Sequence, residues 1–132
     1  MKKTHNSPLN KHLYFRKTSS ALSDDDKENG SVCFPVSSFR GARYGGSSST
    51  VTLSFASIYN HTMDWDDNNV KLDSVKLNIA TNGHVEFMRC LAEEIAIGKD
   101  GLIIVSDAVT GEHMCNVTGI DTVTIDTTEN QL

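Results

Sequence analysis

The sequence contains no long apolar run, and this limits what the chain can be. Its densest apolar stretch, residues 101–105, has the length of a single strand. A membrane-spanning helix needs about 20 consecutive apolar residues. The basic start of the chain is not followed by the apolar segment of a secretory signal. We therefore expect a protein that is made in a cytoplasm and has no membrane partner.

Cysteine is also scarce, with Cys33, Cys90 and Cys115 widely separated along the chain. An odd number of cysteines without a secretory signal argues against a disulfide framework. All three are therefore expected to be free, buried thiols. A catalytic thiol needs a neighbouring base or helix N-terminus, and the residues around Cys90 offer neither.

Charge is unevenly distributed over the 132 residues, a length that suits one domain. Residues 1–20 hold five basic and no acidic residues, so this part carries +5 and the remainder −10 within a net charge of −5. A basic arm on an acidic body can dock onto an acidic neighbour, including another copy of the chain. The alternative is a solubilising tail. Nucleic acid is a poor partner, because the acidic body would repel phosphates.

Hydrophobic periodicity predicts an α+β domain. Apolar patterning predicts strands at 12–16, 32–36, 50–56, 74–79, 101–105, 114–118 and 122–125. Apolar and polar residues alternate at 32–36, 50–56 and 74–79, whereas 101–105 is apolar on both faces, as in a central strand. Apolar positions at steps of three and four predict one helix over 83–97. Thr81 or Asn82 is expected to cap its start, and Gly98 to end it in the left-handed conformation.

This order of elements predicts a mostly antiparallel sheet with one helix packed on one face. We expect residues 12–125 to form this single domain. An extended basic arm, residues 1–11, would precede it, and a frayed tail, residues 126–132, would follow.

No motif in the sequence predicts a catalytic residue, a cofactor or a metal. Residues 64–69 begin like a calcium loop, but Asn69 and Val75 stand where that loop requires glycine and glutamate. His113 and Cys115 supply two ligands, whereas zinc needs three or four from the protein. A third ligand near this pair would favour the alternative of a small metal-binding or enzymatic module.

The segment 39–49 is rich in glycine and serine and is predicted to connect two strands. A strand follows it, so its glycines do not form a phosphate-binding loop, which leads into a helix. Its tip carries arginine and tyrosine, which are enriched at protein interfaces, although a mobile hairpin tip is the alternative. With the basic residues of the segment 1–17, it defines a predicted interface of Lys2, Lys3, Lys11, Arg16, Lys17, Arg40, Arg43 and Tyr44.

The runs LYFR at 13–16, CFPVSSFRG at 33–41 and TVTLSF at 50–55 resemble the small virion structural proteins of marine tailed phages, such as cyanophages. The helix at 85–97 and the runs 101–105 and 109–112 fit the same layout. Members of that group are short, strand-rich and non-enzymatic. The resemblance covers most of the chain, but the acidic loop at 64–69 and the basic leader have no counterpart in the group.

The resemblance implies a capsid decoration or cement protein that bridges shell subunits in multiple copies. A neck or tail adaptor of the same particle is the alternative. Either role implies other virion proteins as partners, a homo-oligomeric arrangement and location in the virion.

Overall fold

A computed structural model describes residues 11–17, 30–44, 46, 48–57, 72–99 and 101–125. Strands and one α-helix within these residues confirm the predicted α+β class. In chain order the elements are β1 (His12–Arg16), β2 (Ser31–Pro35), β3 (Phe39–Tyr44), β4 (Thr50–Ala56), β5 (Leu72–Ile79), α1 (His84–Ile97), β6 (Leu102–Asp107), β7 (Glu112–His113) and β8 (Val117–Thr124). In this part of the chain no helix is long and apolar enough to cross a membrane.

The strands form two four-stranded sheets, where the sequence predicted one. The first sheet has the order β2-β1-β6-β7, and the second has the order β3-β4-β5-β8. All pairs are antiparallel except β1 with β6. The alternation of apolar residues shows which face of a strand is buried, but it does not show which strands share a sheet.

The two central strands of the second sheet show why the alternating segments fold as they do. Val51 and Leu53 of β4 lie opposite Leu77 and Val75 of β5, and all four side chains are fully buried. Complete burial of such a side chain stabilises the fold by about 1.5–3 kcal/mol. Residues between them, such as Thr52, lie on the outer face and are half-buried.

Phenylalanine side chains join the two sheets into one core. Phe34 of β2 stacks on Phe55 of β4 with ring centroids 4.0 Å apart. Phe15 of β1 meets both rings edge-on at 6.3 and 6.0 Å. One continuous cluster of buried residues draws on both sheets and on α1, which contributes Phe87 and Leu91. The sheets and the helix therefore share a single core.

The segment that the sequence placed in a connection, residues 39–49, begins with strand β3. Phe39 pairs with Phe55, and the register shifts between Phe39 and Gly41, so that Arg40 bulges out of the ladder. Gly41 has a φ of 143°, a conformation that glycine adopts readily. The prediction of a connection was wrong here because glycine at 41 disguises a strand that a bulge interrupts. The predicted strands 114–118 and 122–125 also differ, because one strand, β8 (Val117–Thr124), runs through the break predicted between them.

Helix α1 forms where the apolar periodicity predicted it, but its ends differ from the prediction. Gly83 is the N-cap and no side chain caps the helix, while Asn82 adopts a left-handed φ of 62°. Gly98 is extended, with φ −65° and ψ 155°, so the expected left-handed ending was wrong. Lys11 donates hydrogen bonds to carbonyls at this end, including that of Gly98, in place of a left-handed cap.

Candidate protein-binding surface

Strand β3 is an edge of the second sheet, and it carries three of the residues predicted at an interface. Arg40 and Arg43 are exposed, and the side chain of Tyr44 is 46% exposed. Within the described residues, β3 pairs on one side only, with β4. The arginine and tyrosine side chains therefore lie on an open sheet edge, and not on the hairpin tip that the sequence predicted.

An apolar groove lies between β3 and helix α1. Six apolar residues line it over a volume of about 390 Å³: Phe39, Ala42, Met88, Leu91, Ala92 and Ile95. Ala42 on the strand and Ala92 on the helix have short side chains, which leaves space between the two elements. We call this feature the β3–α1 groove.

A second depression lies on the opposite face of the same strand. Its lining is Arg40, Gly41, Ala42, Arg43 and Ser54, and its volume is about 230 Å³. Nη1 of Arg40 donates a hydrogen bond to the carbonyl oxygen of Ser37 at 3.2 Å, which restrains that side chain. No acidic side chain is among the described residues that line this depression. We call it the arginine depression, and it favours a carboxylate over a cation.

Tyr44 ties the end of β3 to the start of the helix. Its ring centroid lies 5.1 Å from that of His84, the first residue of α1, with the planes tilted by 56°. Both rings are anchored on regular elements, so this contact fixes one end of the β3–α1 groove. An exposed tyrosine held in this way offers rigid contact area at small entropic cost.

The structure separates the basic residues that the sequence predicted at an interface within segment 1–17. Lys2 and Lys3 lie outside the described residues. Arg16 is half-buried on β1, and Lys17 directly after it is exposed. These two residues belong to the first sheet, whereas Arg40, Arg43 and Tyr44 lie on the second. The structure therefore does not bring the predicted interface residues together in one patch.

Lys11 is the clearest correction to the predicted interface. Its side chain is fully buried, and Nζ donates hydrogen bonds to the carbonyl oxygens of Glu94, Ile95 and Gly98 at 2.8, 3.0 and 2.7 Å. These carbonyls end helix α1, where a positive charge complements the helix dipole. Lys11 is therefore a core residue and not a surface contact. The predicted boundary of the arm at residue 11 falls inside the folded domain.

The expectation of three free thiols was also wrong. Cys90 of α1 and Cys115, in the turn between β7 and β8, form a disulfide with their Cα atoms 6.6 Å apart. They are 25 residues apart in sequence, and only the packing of the helix beside that turn brings them together. Cys33 is the free cysteine and is exposed on β2, where partial desolvation raises the pKa of its thiol.

The disulfide bears on the alternative of a metal site at His113 and Cys115. Cys90, His113 and Cys115 line one cavity of about 360 Å³, together with Glu93, Glu94 and Glu112. Nδ1 of His113 lies 2.9 Å from Oγ of Ser106 in a hydrogen bond. Both sulfurs are joined to each other, so neither is the thiolate that binds zinc. Among the residues described, no cluster of histidine, cysteine, aspartate or glutamate side chains could hold a metal ion.

No protein-family model, curated protein or solved structure matches this chain. The geometry of the β3 edge is therefore the main support for a functional proposal. The calcium-like segment at 64–69 lies outside the described residues.

Proposed function

We propose that this chain is a virion structural protein of a tailed phage, and that it serves as a capsid decoration or cement protein. The observation that supports this most directly is the open β3 edge, where exposed arginine and tyrosine side chains adjoin the β3–α1 groove. This combination is typical of protein-binding surfaces. The resemblance to small phage virion proteins supplies the biological setting. No catalytic step and no cofactor form part of the proposal.

Binding at this surface would stabilise a shell by mass action. Each copy contacts neighbouring shell subunits and thereby favours the assembled state over dissociated subunits. Arg40, Arg43 and Tyr44 supply the residue types that most often dominate binding energy, and the groove supplies apolar area. Many symmetry-related copies then act together on one particle.

The proposal is tested by sedimentation of the full chain with purified shells of its phage. We expect cosedimentation at a fixed, high ratio to the shell subunit. Decoration of a shell requires hundreds of copies, whereas a neck or tail ring takes about a dozen, so the measured ratio separates the two locations. A chain that sediments as an unbound monomer in both samples contradicts the virion role.

Paired variants show whether the β3 edge is the contact. Replacing Arg40 and Arg43 together by glutamine should weaken shell binding about tenfold or more, since interface arginines often contribute more than about 1 kcal/mol each. Replacing Arg89 and Lys99 by glutamine makes the same change in net charge at exposed residues that line neither depression, and it should have little effect. Equal loss in both variants would indicate general charge attraction and would exclude a specific β3 contact.

A further inference from the structure

We infer that the β3 edge binds an extended segment of the partner protein in which apolar residues alternate with aspartate or glutamate. This inference rests on the proposed function only for the identity of the partner as a virion protein. The chemistry of the partner segment is defined by the β3 edge itself. The partner would add one strand to the second sheet beside β3. Its apolar side chains would enter the β3–α1 groove, and its carboxylates would meet the arginine depression.

The two depressions lie on opposite faces of one strand. Ala42 pairs with Leu53, which is fully buried, so this register places Ala42 on the core side with the helix. Arg43 pairs with Thr52, on the outer face. The β3–α1 groove therefore lies on the inner side of the sheet edge, and the arginine depression lies on the outer side.

A partner strand beside β3 would present side chains to both depressions. Successive side chains of a β-strand point to opposite faces of its sheet, with a period of two. A strand paired with β3 would direct every second side chain towards the groove and the intervening ones towards Arg40 and Arg43. Recognition by strand addition works in this way, because main-chain hydrogen bonds supply affinity and pockets for alternate side chains supply specificity.

The two depressions select different side chains, because one is apolar and the other is lined by arginine. The groove is lined by apolar side chains alone, and its 390 Å³ is comparable with small-ligand pockets of about 300–1,000 Å³. The arginine depression offers two guanidinium groups, which form charge-assisted hydrogen bonds with carboxylates. A lysine-rich segment, including the basic leader of a second copy, would be repelled there.

The bulge at Arg40 limits where the added strand can pair. The ladder between β3 and β4 is regular from Gly41 to Tyr44, and it shifts register only before Gly41. Bulges protect sheet edges from indiscriminate pairing by other strands. A short regular stretch with a pocket on each side therefore favours a sequence-selective partner over general aggregation.

The test uses the full chain with its disulfide intact and three synthetic peptides. The first peptide alternates glutamate and leucine over seven residues, and the second replaces each glutamate by lysine. The third has the composition of the first, with its leucines and glutamates in separate blocks. Amide chemical shifts of labelled protein report the binding site. We expect the alternating acidic peptide to shift signals of β3 and α1 and to bind about tenfold or more tightly than either control.

A matched pair of helix variants locates the peptide. Ala92→Glu places a carboxylate in the β3–α1 groove and should weaken binding of the acidic peptide about tenfold or more. Ala96→Glu makes the same change at an exposed position of α1 that does not line the groove, and it should leave affinity unchanged. Equal binding of the lysine peptide, or full binding by Ala92→Glu, overturns the inference. Peptide-induced dimers in sedimentation would also overturn it, because a second copy would then be the occupant.

A negative result in the peptide experiment and one in the particle experiment have different meanings. Chain that binds shells but not the alternating acidic peptide retains the proposed function and refutes the strand-addition inference. Chain that binds the peptide at the groove but never binds shells retains the inference and refutes the virion role.

Discussion

The two flanks of helix α1 are held in different ways. On one flank Cys90 is covalently bonded to Cys115 in the turn before β8. On the other flank the helix faces β3 across the open β3–α1 groove, where Ala92 and Ala42 leave space. The same helix is thus fastened by a covalent bond on one side and borders an apolar groove on the other.

This difference bears on binding at the groove. The disulfide and the hydrogen bonds from Lys11 to the end of the helix restrain α1, which forms one wall of the groove. A groove with a restrained wall loses less conformational entropy when a partner binds. Three predictions test the contrast between the fastened and the open flank.

The largest effect is expected on the fastened flank. Replacing Cys90 and Cys115 by alanine removes a cross-link that closes a loop of 25 residues. The chain-entropy relation for such a loop predicts a loss of about 3.5 kcal/mol in the free energy of unfolding. Urea denaturation of the double variant and the oxidised wild type measures it. Cys33→Ala is the control and should change stability by about 0.5 kcal/mol or less; a double variant as stable as this control would show that the bond does not restrain the helix.

A somewhat smaller effect is expected at the end of the helix. Lys11→Met keeps an unbranched side chain of similar length but removes three hydrogen bonds to carbonyl oxygens. We expect a loss of about 2–3 kcal/mol in the free energy of unfolding, as for hydrogen bonds to a charged group. Thermal and urea unfolding measure the loss, with the exposed Lys17→Met as the matched control. Equal stability of the two variants would mean that Lys11 does not anchor the helix.

The smallest effect is expected on the open flank. Ala92→Leu extends an exposed side chain into the groove and should change the free energy of unfolding by about 0.5 kcal/mol or less, as for most surface positions. Ala96→Leu on the same helix provides the comparison. A change beyond about 1 kcal/mol at position 92 alone would show that this flank is packed core, and the contrast between the flanks would disappear.

Local patterns predicted the elements that depend on side-chain alternation or helical period. Strand β4 has the predicted bounds, and α1 begins one residue later than predicted. Both have a regular apolar stripe, which is a property of neighbouring residues and therefore readable from sequence. Strand β3 was missed because Gly41 and the neighbouring serines and glycines suggested a loop, and a bulge broke its alternation.

Features that depend on distant residues could not be predicted in the same way. Neither the division into two sheets nor the pairing of Cys90 with Cys115 leaves a local signal, because each depends on how elements pack. Lys11 was assigned to a surface arm on charge alone, since its burial requires the end of a helix more than 80 residues later. The arginine and tyrosine side chains of the candidate surface were identified from composition, whereas the groove beside them needed the tertiary structure.

The parallel pair of β1 and β6 has a consequence for the order of folding. His12 lies beside Leu102, and Lys11 donates a hydrogen bond to the carbonyl of Gly98, so the first described strand has partners on one side that are synthesised much later. Contacts of such long sequence separation slow folding, because a large loop must close before they form. The edge of β1 that pairs with β6 therefore stays open during most of synthesis, although β2 can already cover the other edge, and pairing with another nascent chain is then possible. Many copies are made side by side on a polysome. The exposed edge of β1 is covered there only once β6, in the last quarter of the chain, has been synthesised.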